Sequence, residues 1–168
     1  MKSLVVFFSR NGENYMENGL ENIEVGNTEI LANKIAKLTN SDIFKIEPVK
    51  EYPFNYHDCC DVAKEELENN ILPEVKNKLE SIEGYDTIYI GGPVWWGHYP
   101  RVIISALKDL DFSGKEIKPF CTHEGSSLGS IMSDINELCK NAIIKEGLEI
   151  RGSKVNELDS KIEKWCNE

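Results

Sequence analysis

Three short stretches of this chain carry side chains suited to holding a ligand. The first is split: Ser9-Arg10-Asn11-Gly12 follows the apolar run Leu4-Val5-Val6-Phe7-Phe8, and Gly26-Asn27-Thr28 opens a helix further on. Free amides at a helix start, the positive end of its dipole and compact hydroxyls make an anion cradle, so Ser9, Arg10, Asn27 and Thr28 suit a phosphate. The competing reading is an ordinary cap, with Asn27 or Thr28 satisfying the first turn. The second stretch, Gly91-Gly92-Pro93-Val94-Trp95-Trp96-Gly97-His98-Tyr99-Pro100, puts two of the chain's three tryptophans in one loop. Adjacent side chains point in different directions, so at least one indole is free for a flat partner; the other reading is an apolar plug over a sheet end. The third, Thr122-His123-Glu124-Gly125-Ser126-Ser127-Leu128-Gly129, offers small polar groups on a flexible backbone.

Each stretch is expected at the end of a strand. Leu4 to Phe8 reads as a central strand buried on both faces, Asp42 to Glu47 as a second, Asp86 to Ile90 as a third, Lys115 to Cys121 as a fourth and Leu148 to Ile150 as a short fifth. Helices are expected from Asn27 through Leu38, after a cap at Asn55 or Asp58, after Pro100, around Ile131 to Cys139, and along Val155, Leu158, Ile162 and Trp165. Pro73 stops or restarts the second helix before Val75 and Leu79. Residues 13 to 26 show neither period and read as an extended loop. Strands alternating with helices make an α/β fold with a parallel sheet, in which ligands bind at the carboxyl ends of the strands. All three stretches fall there.

A ligand that needs an anion cradle, an aromatic wall and polar contacts to a ring edge is flavin mononucleotide. Taken in order, Phe8-Ser9-Arg10 with Gly26-Asn27-Thr28, Gly92-Pro93-Val94-Trp95-Trp96-Gly97 and Phe120-Cys121-Thr122-His123-Glu124-Gly125 make the chain resemble the flavodoxins over essentially its whole length. The resemblance implies a three-layer α/β/α sandwich with a five-stranded parallel sheet in the order 2-1-3-4-5. It implies FMN as cofactor, with Ser9, Arg10, Asn27 and Thr28 around the phosphate. Pro93, Val94, Trp95, Trp96 and Gly97 would line the ring, and Thr122, His123, Glu124 and Gly125 its other side. No side chain need act as nucleophile or base, since the flavin carries the electrons. One departure stands out. In the compact family pattern the Ser-Arg and Gly-Asn-Thr pieces nearly abut, whereas residues 11 to 25 intervene here. Either the insertion loops outward and the halves still close on phosphate, or Asn11, Gly12 and Asn14 replace part of the cradle; Tyr15 could instead reach over the ring.

The bulk numbers fit one domain spanning residues 1 to 168. Hydrophobic residues make up 40% and charged residues 29%, globular values that argue against disorder. The formal charge of −10 disfavours nucleic acid and anionic membranes and suits redox partner proteins with a basic docking surface. Five cysteines without framework spacing, and a first apolar run too short for a signal segment, point to a cytoplasmic setting. No Walker-type loop or dinucleotide fingerprint is present. His57-Asp58-Cys59-Cys60 reads as the start of a helix rather than a zinc site, because adjacent cysteines do not readily serve one tetrahedral ion. Asp109 and Asp111 with Lys115 suggest a phosphoacceptor receiver domain, but Ser9 and Gly91-Gly92 stand where it needs acidic residues. Two functions follow from the flavin. One is an electron carrier; the other is an FMN-dependent reductase that takes hydride from NAD(P)H for a quinone or similar acceptor. A binding module without redox work is a third possibility.

Overall fold

Leu4, Val6 and Phe8 alternate with Val5 and Phe7, and this period-2 pattern lets one strand feed two cores. In the computed structural model, which describes all 168 residues, that strand is β1 (Ser3–Phe7), at the middle of a parallel sheet. Leu4, Val6 and Phe8 pack with Val102, Ile103, Ile131 and Ile135, whereas Val5 and Phe7 pack with Leu31, Ala32, Ile35, Ile162 and Trp165. Apolar residues buried on both faces are what a parallel sheet between two helical layers requires.

Along the chain, β1 is followed by β2 (Gly12–Met16), β3 (Gly19–Ile23), α1 (Asn27–Thr39), β4 (Asp42–Lys45), α2 (Tyr56–Glu68), β5 (Thr87–Pro93) and α3 (Arg101–Leu107). Then come β6 (Glu116–His123), α4 (Ile131–Leu138), β7 (Ile143–Ile144), β8 (Leu148–Arg151), a 3₁₀ turn at Gly152–Lys154 and α5 (Asp159–Asn167). The central sheet runs β4-β1-β5-β6, and both β7 and β8 pair with β6, all in parallel. The expected 2-1-3-4-5 order therefore holds by position, but the fifth position is filled by two pieces and the sheet has six strands. Ile143 and Ile144 sit beside Glu116 and Ile117, and β8 resumes beside Phe120 to His123.

Three further expectations need correction. Residues 12 to 23 form an antiparallel hairpin, not an extended loop, with Met16 paired to Gly19 across Glu17-Asn18. The hairpin makes its own two-stranded sheet. Val75 to Leu79 is not helical; Val75 forms an isolated antiparallel bridge with Pro48. Finally, β5 continues through Pro93 and β6 through His123, so Gly91-Gly92 belongs to a strand and not to a loop. Pro93 is paired with Thr122, which brings the second and third stretches out of the sheet side by side.

Candidate functional site

Along the carboxyl ends of β1, β5 and β6 lies a cleft of about 280 Å³. Its size sits near the lower end of small-molecule sites. Of the thirteen residues singled out in the sequence, Arg10, Asn27, Pro93, Val94, Trp95, Trp96, Thr122, His123 and Glu124 line it. Ser9, Thr28, Gly97 and Gly125 do not, and each has another task.

Ser9 and Thr28 build the first wall from behind. The helix α1 starts at Gly26, which has no capping side chain of its own. Instead Ser9 Oγ accepts the Glu29 amide at 3.0 Å, a cap supplied from the end of β1. The amides of Asn27 and Thr28, at the first turn, have no acceptor inside the helix. A Cβ on Gly26 would lie 2.1 Å from Ser9 Oγ and 2.7 Å from the Arg10 carbonyl oxygen. The two halves of the first stretch thus meet in space, and the hairpin between them lies against the cleft, with Asn14 and Tyr15 in its lining and Asn27 Nδ2 meeting Met16 Sδ at 3.3 Å. Thr28, fully buried, shares a 2.7 Å hydroxyl contact with Thr122, which ties α1 to the end of β6.

The second stretch separates its two tryptophans. Trp95 and His98 exchange backbone hydrogen bonds of 2.8 and 3.0 Å around Trp96 and Gly97, whose φ values are 53° and 80°. Positive φ at both central residues is the signature of a type I′ turn, which favours Asn and Gly and disfavours tryptophan. Trp95 packs edge-on against Phe8 and Tyr52, at ring separations of 5.4 and 4.8 Å. Trp96 stays 53% exposed, its indole N–H donating to the Cys60 carbonyl at 3.0 Å and Lys64 standing 5.4 Å over its ring. The Gly97 carbonyl accepts the Ser130 amide at 2.6 Å, anchoring the end of the third stretch.

The third stretch has a defined histidine tautomer. Gly125 N–H donates to His123 Nδ1 at 2.9 Å, so that nitrogen is the acceptor, and Nε2 carries the proton toward Glu149 at 2.5 Å. Lys161 meets the other Glu149 oxygen at 2.5 Å. Burial alone would raise the Glu149 carboxyl, but hydrogen bonds from Lys161 and His123 outweigh it and hold the group below its ordinary value. Glu124 is drawn to the 3₁₀ turn, accepting from the Ser153 amide at 3.2 Å and from its hydroxyl.

Asn14 and Tyr15, which the sequence offered as alternatives within the insertion, line the cleft from the hairpin. The sequence passed over the rest: Tyr56, Cys59, Cys60 and Ala63 reach the cleft from α2, and Gly152 from the 3₁₀ turn. Positions 56, 59, 60 and 63 follow the i, i+3, i+4, i+7 rule for one helix face, a stripe that also fits plain core packing. Tyr15 and Tyr56 lie 6.0 Å apart, tilted by 34°. Burial pushes the Tyr56 hydroxyl up to about 12 and the Cys59 thiol up to about 11, so both stay protonated near neutrality. No group of three or more His, Cys, Asp or Glu side chains is gathered to hold a metal ion.

A flavin meets a fitting set of groups in this cleft. Free amides and the Asn27 side chain lie at one end, indole and phenol rings along the walls, and neutral or acidic polar groups opposite. Among solved structures, a candidate flavoprotein from Bacteroides uniformis is 26% identical, covering 99% of this chain and 98% of its own, with a TM-score of 0.79. Another, from Bacteroides eggerthii, is 25% identical with a TM-score of 0.72, covering 96% and 97%. A Lactobacillus acidophilus flavoprotein in complex with FMN shares the fold at 21% identity and a TM-score of 0.65, covering 93% and 97%. No curated protein matches the sequence. The sequence profile of the flavodoxins, in contrast, matches from residue 3 to residue 168. Given that match over almost every residue, and the three strand ends converging on one cleft, the chain belongs to the flavodoxin family, whose cofactor is FMN.

Proposed function

We propose that this protein is an electron carrier that holds FMN non-covalently in the cleft and passes electrons between partner proteins. The observation that carries the reading is Trp96, an exposed indole held at positive φ beside a cleft whose far end is the start of α1. A bulky residue in that conformation costs energy, and such strain is retained where it serves a site. The FMN complex of the Lactobacillus acidophilus relative supports the same choice of ligand. When bound, FMN supplies one- and two-electron transfer.

The chain's own residues bind and orient. The first-turn amides of α1 and Asn27 take the phosphate, and Ser9 keeps that turn in place by capping Glu29. Trp96 forms one face of the ring pocket, and Tyr56 with Tyr15 closes another side. Thr122 and the His123–Gly125 turn meet the ring edge, with Glu124 adding negative charge nearby. The net charge of −10 suits a partner with a basic face, and we place the protein in the cytoplasm. No helix is long and apolar enough to cross a membrane.

Carrier and reductase differ in whether the protein accepts hydride unaided. The isolated holoprotein, mixed anaerobically with NADH or NADPH, should stay oxidised until a separate flavoprotein reductase is added. Rapid bleaching of the flavin by NADPH alone would make the protein a reductase instead.

A further inference from the structure

We infer that Arg10 is a positioning residue for the aromatic walls of the cleft and not the ligand of the phosphate; the inference rests on the cleft being an FMN site. A guanidinium has five N–H donors in a rigid plane. Arg10 commits three of them to carbonyl oxygens of two separate segments. Nη1 donates to Glu13 in β2, and Nη2 donates to Pro53 at 2.8 Å and to Phe54 at 2.6 Å, in the loop that leads into α2. It makes no salt bridge, so these bonds, and not an ion pair, fix where it lies.

What Arg10 clamps leads on to both aromatic walls. The Glu13 carboxylate accepts the Tyr56 amide at 3.0 Å, so the residue whose carbonyl Arg10 holds also seats the first turn of α2. Just before it, Asn55 caps the same helix by accepting the Asp58 amide at 3.0 Å. From this helix Tyr56 and Cys60 face the cleft, and the Cys60 carbonyl receives the Trp96 indole N–H. Tyr15 belongs to the hairpin strand that begins beside Arg10 and is steadied there by Asn14, whose amide donates to the Arg10 and Gly12 carbonyls at 3.2 Å each. Arg10 therefore sets the hairpin against α2, and α2 sets Trp96.

The two roles separate cleanly with riboflavin, which has the ring and side chain of FMN but no phosphate. A phosphate ligand strengthens FMN binding alone; a residue that shapes the walls strengthens both. Dissociation constants for FMN and riboflavin should be measured by flavin fluorescence on native apoprotein, Arg10→Lys and Arg10→Met. Both variants should lose about tenfold in affinity for each flavin, as expected when charge-assisted hydrogen bonds to three carbonyls go. The ratio between the two flavins should stay at its native value. Lysine should fare no better than methionine, because a point charge cannot span two segments. The visible circular dichroism of saturated Arg10→Met should also change, since it reports the rings around the flavin. A loss confined to FMN, largely restored by lysine, would overturn the inference. If Arg10→Met does not fold, Glu13→Ala breaks the next link with Arg10 present; it should weaken both flavins equally, and native affinities there would also overturn the inference. Native apoprotein that binds neither flavin would defeat the cofactor reading itself, a result distinct from any change in the ratio.

Discussion

Trp96 stands in a left-handed conformation that costs a side-chain-bearing residue roughly 1 kcal/mol relative to glycine. Its contacts to Cys60 and Lys64 are at the surface and return only part of this. Trp96→Gly should therefore leave the thermal midpoint of the apoprotein nearly unchanged while weakening FMN binding about tenfold, as loss of an aromatic wall implies. Trp95→Ala should act chiefly on stability. Its ring packs on Phe8 and Tyr52, so truncation should cost about 3 kcal/mol of stability. Denaturant titration of both variants beside their flavin affinities checks the contrast. The two cysteines of α2 give a second test. Cys59 is buried with its thiol pushed up to about 11, and Cys60 is partly exposed in the cleft wall. A thiol reagent followed by peptide mass analysis should label Cys60 before Cys59, and bound FMN should protect Cys60. Glu149 governs part of the acid response. Its native carboxyl lies below the ordinary value of 4.5, so it contributes stability above that value and loses it as pH falls through the lower native one. Glu149→Gln should flatten that limb of a plot of melting temperature against pH.

At the level of elements, the hairpin of β2 and β3 is an addition to a sheet that does not need it. It pairs only with itself, and Gly26 already abuts Ser9 and Arg10 beneath it. Its outer end is tied to the 3₁₀ turn by a 2.9 Å ion pair from Lys154 to Glu17. Replacing residues 12 to 23 with a short glycine linker should preserve the far-ultraviolet spectrum of the α/β core and speed FMN release, measured by stopped-flow fluorescence. The hairpin was the element least legible in the sequence. Gly-Glu-Asn-Tyr-Met and Gly-Leu-Glu-Asn-Ile lack a clear apolar alternation, because neither strand has a core to face. The Asn18-Gly19 pair was the one turn signal available. β7 escaped for a different reason: two residues are too few for any period. In contrast β1 and α1 follow from apolar spacing, since each has to fill a core on a fixed face; of the stripe expected for the last helix only Ile162 and Trp165 fall within α5, because Val155 closes the 3₁₀ turn and Leu158 caps the helix. The cleft was legible where chemistry and strand ends coincide, at residues 93 to 96 and 122 to 124. Its α2 wall was not, because a ligand-facing stripe and a core-facing stripe share one period.

For the whole molecule, 29 acidic and 19 basic residues make a negative particle. Long-range attraction to a basic partner is screened within about 10 Å at 0.1 M salt, so the rate of electron transfer to such a partner should fall steeply as ionic strength rises. Stopped-flow kinetics at several salt concentrations tests this; a flat dependence would point to an apolar or neutral contact. All of it depends on the cleft holding FMN. The most direct measurement is titration of the apoprotein with FMN, followed by flavin fluorescence, with the flavin released on denaturation identified by chromatography. One FMN should bind per chain with strong quenching, and the released flavin should be FMN alone. Unquenched fluorescence at every protein concentration, from a colourless protein that retains no flavin, would contradict the account.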